Sequence, residues 1–244
     1  PLNLDRKNIM GKKALATAAA HAAEVFGVPA ENQIDRKRTL TGRSDRFFSL
    51  PPVLIDRSWC EKEPFYVQFI PYVTLHRLNA LTKEKELFAY TRGGSSGEER
   101  LKDKISVGVG GHVETLPNQP AEDLRAVLFD AALREIEEEI GSAAVTQDLK
   151  EQIEIGLDTA TIYLDTRTET ESVHLGVFIS VYADFDTWTA EDNVVTQSGW
   201  QSLSELEAKL GDETVSVEPW SRVVIQEKIN LQRKINRKQA ELVN

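Results

Sequence analysis

The residues Arg134–Glu139, inside the stretch ALREIEEEIG, contain four glutamates, and Gly141 follows them. In a helix, positions three and four apart share a face, so Glu135, Glu138 and Glu139 converge while Glu137 points elsewhere. A charge run of this kind is usually a solvated face. Three carboxylates on one side near a helix C-terminus, however, repel one another and oppose the macrodipole. Something positive must balance them. Arg134 is one source, and a hard divalent cation with oxygen ligands is the better one. Upstream, GVGGHVE closes a strand-like segment with Gly110 and Gly111, which allow backbone atoms to approach a ligand closely. Glu114 ends that segment and is placed to face the glutamate helix. Magnesium is commonly held by a few carboxylates together with substrate phosphates, so the constellation predicts metal-assisted phosphate chemistry.

The chain has 244 residues, 41% of them hydrophobic, which is enough for one large domain with a substantial core. No run of eighteen apolar residues exists, so no membrane span is expected. The N-terminal small-residue stretch is interrupted by His21 and Glu24 and is not read as a secretory signal. Cys60 is the single cysteine, which excludes an intrachain disulfide and a cysteine-based zinc site and suits a reducing cytoplasm. It has no companion motif for nucleophilic chemistry. A net charge of −10 argues against nonspecific nucleic-acid binding by the whole surface, yet admits a phosphate substrate when cations neutralise the carboxylates locally.

Several elements must position these residues. Apolar spacing predicts a long helix from about Pro120 to Ile140, with Leu124, Val127, Leu128, Ala131, Ile136 and Ile140 inward and Gly141 as its stop. FYVQFIPYVTLHR, ELFAYTR, QIEIGLDTATIYL and VHLGVFISVYADF read as strands. SLSELEAKLG reads as a short helix capped by Ser202 or Ser204, and Pro219–Val243 as a final helix. Residues Lys7–Val28 read as a helix and NQIDRKRTLTGRSDR as a polar connector, giving a helical extension over 1–45 and a main domain over 46–244. The order of elements predicts an α/β fold with a mixed sheet and helices on its faces.

GGHVE followed by REIEEEIG resembles the Nudix box, G-x5-E-x7-R-E-U-x-E-E-x-G-U with U a bulky aliphatic residue. The match runs through Arg134, Glu135, Ile136, Glu138, Glu139 and Gly141, and GWQSLSELEAKL is similar to the tryptophan-containing segment near the end of Nudix domains. The resemblance covers roughly Phe65 to Leu210 and implies an α/β/α sandwich. Arg134 lies 23 residues after Gly111 where the pattern has 14, an insertion of about nine placed near TLPNQPAED. The pattern's middle glutamate falls on Ala126, so its role passes to Glu114 or Glu122 or is absent, and the last aliphatic position is Ser142.

The resemblance implies hydrolysis of a nucleoside diphosphate linked to another group, with Mg2+ or Mn2+. Glu138 and Glu139 are then the first-choice ligands, and Glu135 is a further ligand or the group that orients or deprotonates water. Gly111 contributes its carbonyl, Arg134 holds the glutamates, and Gly110, Gly111 and His112 meet the substrate. Glu169, Glu171, Glu191 and Asp192 offer an extra carboxylate, His174 a phosphate contact, and Tyr163, Trp188 and Trp200 a surface for a base. Solvation or core packing is the plainer reading of each. The partner is a small nucleotide-diphosphate substrate, and a homodimer is admitted. The rival reading is a noncatalytic Nudix-fold domain that binds a nucleotide and regulates a partner. A weaker one is an isomerase acting on a diphosphate within the same fold.

Overall fold

The computed structural model describes residues 13–18, 39–42, 47–61, 65–93, 102–113, 123–165, 171–189 and 195–243. They fall into two compact units, and several elements contribute residues to both. In the first unit the strand order is β2 (Thr39–Gly42), β7 (Thr161–Asp165), β8 (His174–Tyr182), β4 (Tyr66–Leu78), β1 (Lys13–Ala18), β3 (Val53–Asp56). Strand β4 is buried without interruption from Val67 to Leu75, as a strand covered on both faces must be. β1 pairs antiparallel with β3 and β4, placing Ala16 opposite both Val53 and Gln68. Tyr72, Tyr163 and Phe178 form an aromatic row in this core, with Tyr163 stacked on Phe178 at 5.1 Å.

The helix expected over Lys7–Val28 is a strand at Lys13–Ala18, and the polar connector contains β2. Alanine's helical preference is under about 1 kcal/mol per residue. KALATA is short, and two neighbouring ladders hydrogen-bond it while Leu15 goes fully into the core. The strand expected over QIEIGLDTATIYL also divides. Its first half belongs to a helix, Gln147–Asp158, and only Thr161–Asp165 is extended.

In the second unit β5 (Lys85–Arg92) is antiparallel to the end of β4, to β6 (Ile105–Ser106) and to β9 (Val195–Ser202). A bulge between Ala89 and Thr91 shifts the β5–β9 register. A parallel bridge joins Ile105 to Val217. We label the helices α1 (Leu124–Ile140), α2 (Gln147–Asp158), α3 (Leu203–Gly211) and α4 (Pro219–Val243). Helix α3 opens on a capping box between Ser202 and Glu205, and α4 spans the expected residues. Phe88 packs edge to face with Trp188 and Trp200 in this unit, and Phe185 meets Phe88 and Trp200 at tilted angles. Arg77 lies over Trp200 at 4.6 Å while bonding Glu86 and Asp186. No helix among the described residues is long and apolar enough to cross a membrane.

Cys60 is buried at the end of a single helical turn. Burial, then the charges of Asp56 and Glu61, push its thiol up to about 11. It therefore stays protonated at neutral pH and is a poor nucleophile. Alkylation of the native protein at pH 8 is expected to be slow and to accelerate on unfolding, as intact-mass spectrometry would show.

Candidate functional site

Helix α1 carries the glutamates. Leu124, Leu128, Ala132, Ile136 and Ile140 recur every four residues, and all are buried. Its start is fixed by Asp123, whose carboxylate accepts from the Ala126 N–H at 3.1 Å. Its end is fixed by Gly141 at φ 104°, where a Cβ would lie 2.7 Å from the Thr189 carbonyl oxygen. Thr189 in turn donates its N–H to the otherwise orphaned Ile140 carbonyl at 2.9 Å. The helix begins four residues later than the spacing predicts, and its register about the glutamates is the expected one.

Within the first unit Arg134 holds two groups. One Nη2 donates to the His112 carbonyl at 2.9 Å and pairs with Glu135 Oε1 at 2.7 Å. A segment 22 residues upstream is thereby fastened to the helix by a charge-assisted bond. Gly111 lies against the same carboxylate: a Cβ there would stand 2.6 Å from the Glu135 carboxyl carbon. Gly110 approaches β4 so closely that a Cβ would overlap the Pro71 carbonyl oxygen. His112 faces His174, with their Nε2 atoms 3.2 Å apart, and Gln68 Nε2 lies 3.5 Å from His174. A close Nε2–Nε2 pair requires one ring to donate and the other to accept, so the two imidazoles settle each other's tautomer. Gln68 was not foreseen. Its only sequence signal is an amide in the middle of an apolar strand.

Within the second unit Glu138 is exposed, whereas Glu139 is buried beneath β5. Tyr90 Oη lies 2.5 Å from Glu139 Oε2, and Arg92 Nη1 lies 3.6 Å from Oε1. Burial, and then the carboxylates of Glu139 and Glu218, raise the Tyr90 phenol well above its ordinary value despite the opposing charge of Arg92. The phenol therefore keeps its proton and donates it. Beyond it, Tyr90 Oη and Ser106 Oγ each lie 2.9 Å from the Gly108 carbonyl, and the hydroxyls of Ser106 and Ser221 bond the buried Glu218 carboxylate at 2.6 and 3.0 Å. Tyr90 and Arg92 were also missed by the sequence reading.

Tyr90→Phe removes the donor that fixes one oxygen of Glu139. If Glu139 holds a divalent ion, affinity for that ion is expected to fall roughly 10- to 100-fold in this variant, the usual effect of losing an outer-shell partner, as an Mn2+ titration of the variant against wild type would show.

The remaining candidates fall out differently. Glu114, Glu122, Glu169, Glu191 and Asp192 lie outside the described residues, and Glu171 opens a short 3-10 segment, Glu171–Val173. Tyr163, Trp188 and Trp200 are committed to the packing described above. Among the described residues, no three His, Cys, Asp or Glu side chains are gathered closely enough to hold a metal ion.

No family model matches the chain. Protein YmaB of Bacillus subtilis (strain 168) is 29% identical over 170 residues, covering 69% of this chain and 74% of YmaB. A NUDIX hydrolase structure from Alicyclobacillus acidocaldarius covers 66% of this chain and 90% of its own at 12% identity, with a TM-score of 0.46. The crystal structure of Tm1382, a candidate Nudix hydrolase, covers 90% of this chain and all of Tm1382, with 18% identity and a TM-score of 0.62. The chain has the Nudix fold. The α/β/α sandwich implied by the box-like residues is therefore present. In this Nudix-fold chain Arg134 and Gly111 meet at Glu135, while Gly110 lies against Pro71 of β4; residues 114–122 between the two segments lie outside the described residues.

Proposed function

We propose that the chain is a Nudix hydrolase that splits the diphosphate bond of a nucleoside diphosphate linked to another group, by attack of water on phosphorus. The observation that carries this reading is the state of α1. Two of its glutamates, Glu135 and Glu139, are buried and held by named partners, and Glu138 stands exposed in the same helical register. Burying a carboxylate is costly, and a solvated helix face has no reason to do it twice.

The donor set fits a hard divalent cation, Mg2+ or Mn2+. It consists of carboxylate oxygens of Glu135, Glu138 and Glu139 with the Gly111 carbonyl, and Glu114 as a further ligand. Such an ion supplies charge neutralisation at the phosphate oxygens and activation of water. The chain's own residues do the positioning. Arg134 keeps Glu135 turned toward the Gly110–Gly111 segment, and Tyr90 and Arg92 fix the oxygens of Glu139. Glu138 is the exposed carboxylate of the three. Gly110, Gly111 and His112 form the edge that a diphosphate meets, with His174 and Gln68 fixing the His112 ring.

A panel of nucleoside diphosphate derivatives assayed with Mg2+ and with Mn2+ tests this. Hydrolysis of at least one member to a nucleotide and a phosphorylated group is expected, and it should vanish with chelator. Tight, metal-independent binding of a member with no hydrolysis of any would instead support the noncatalytic regulatory reading.

A further inference from the structure

Away from the glutamate helix, the second unit gathers a different set of groups. Lys228 of α4 donates from Nζ to Ser180 Oγ of β8 at 2.7 Å, and Ser180 Oγ lies 3.3 Å from His76 Nδ1 of β4. The Tyr182 ring stands edge-on to His76 at 6.2 Å. Lys85, on β5, is close enough for its charge to act on both His76 and Lys228. An ammonium can only donate, so the Ser180 hydroxyl receives from Lys228 and passes its own proton toward Nδ1. That fixes the imidazole proton on Nε2. The cluster thus presents two ammonium groups and an imidazole N–H, and Lys228 and Lys85 form no ion pair among the described residues. Glu227, beside Lys228 on α4, is exposed.

We propose that His76, Lys85, Ser180 and Lys228 form a second site, one that binds a phosphate-class oxyanion. Two lysines brought together repel each other, the neighbouring Glu227 charge acts on Lys228 alone and leaves it shifted down, and the group that would relieve the repulsion is an anion rich in acceptor oxygens. The titration behaviour agrees. Burial, then the charges of Lys85 and Lys228, push His76 down to about 4, so at neutral pH it is an uncharged donor. Burial, then Lys85, push Lys228 down to about 8. An incoming phosphate would reverse both charge effects. Ser180 is exposed, and His76, Lys85 and Lys228 are half-buried, so an anion can reach them from solvent. Phosphate arrives either free or as part of a nucleotide, and both carry the same oxygens.

The test needs no catalysis and no divalent ion, so it stands or falls separately from the hydrolase reading. The chain has 4 histidines, and their imidazole 15N resonances can be followed individually, with His76 assigned by its absence in His76→Gln. Titration with inorganic phosphate in buffer freed of divalent ions should move the His76 resonances saturably. In Lys228→Met and in Lys85→Met the midpoint should rise roughly tenfold or more, the effect of losing one charge-assisted hydrogen bond. Both variants keep the aliphatic stem, and unchanged His112 and His174 resonances would confirm the fold. Lys234→Met, on the exposed end of α4, should bind as wild type. A parallel titration with AMP distinguishes the sources: tighter binding than phosphate marks a nucleotide's phosphate, and equal or weaker binding marks the free ion. His76 resonances that do not move with either ligand overturn the proposal. So does an identical midpoint in Lys228→Met.

Discussion

Glu138→Gln is expected to lower the hydrolytic rate by roughly three orders of magnitude while shifting the thermal midpoint by no more than about 2 °C. The rate loss follows from removing a carboxylate from the proposed divalent ion, which would stabilise transition-state charge by several kcal/mol. The unchanged midpoint follows from exposure, since surface substitutions usually stay within about 0.5 kcal/mol. Glu139→Gln should match the rate loss and add a stability cost. Its carboxylate is buried, and the amide that replaces it leaves Tyr90 a neutral oxygen as its acceptor and takes the counter-charge from Arg92, at about 1–3 kcal/mol. Glu137→Gln should change neither quantity, because that side chain is exposed on another side of the helix. Steady-state rates and thermal melts on the three variants check this. Equal rate losses in Glu137→Gln and Glu138→Gln would show that the register of the proposed ligands is wrong.

Gly110→Ala and Gly111→Ala should fail in opposite ways although they are neighbours. At Gly110 the new methyl meets backbone: it overlaps the Pro71 carbonyl and comes within 3.2 Å of Tyr72 Cα, in a strand buried on both faces. Nothing there can rotate aside, so the strand must move, at about 3 kcal/mol or more, with a drop in midpoint of roughly 6 °C or more. At Gly111 the methyl meets the far end of the Glu135 side chain, which can swing away. Stability should fall by only about 1 kcal/mol. The displaced carboxylate loses its alignment with Arg134, and the rate should fall roughly 10- to 100-fold. Melts and rates measured on the same two preparations separate the effects.

Parts of this were readable from the sequence because they are local. The apolar recurrence from Leu124 to Ile140 and the glycine stop both follow from helical geometry, and α1 bears them out. Two other stretches misled through the same local logic. Alanines in KALATA favour a helix, but strand partners distant in sequence take the segment into the sheet. QIEI alternates like a strand. Yet Leu149, Ile153 and Leu157, four apart, are the buried residues of α2, and Ile155 is exposed, so the longer period decides. The supports of the candidate site were not readable at all. Tyr90 reaches Glu139 across 49 positions and His112 meets His174 across 62, through strand placements no short window contains. The same holds for the cluster of His76, Ser180 and Lys228, whose members come from three separate elements.

The central claim is that three glutamates of α1 hold a divalent ion, and Mn2+ binding measured by electron paramagnetic resonance tests it without any knowledge of the substrate. Wild type and Glu137→Gln should bind the ion with the same affinity, while Glu138→Gln and Glu139→Gln should each bind it at least roughly tenfold more weakly. Mn2+ binding that is indifferent to Glu138 and Glu139, or that is absent from the wild-type chain, would contradict the account.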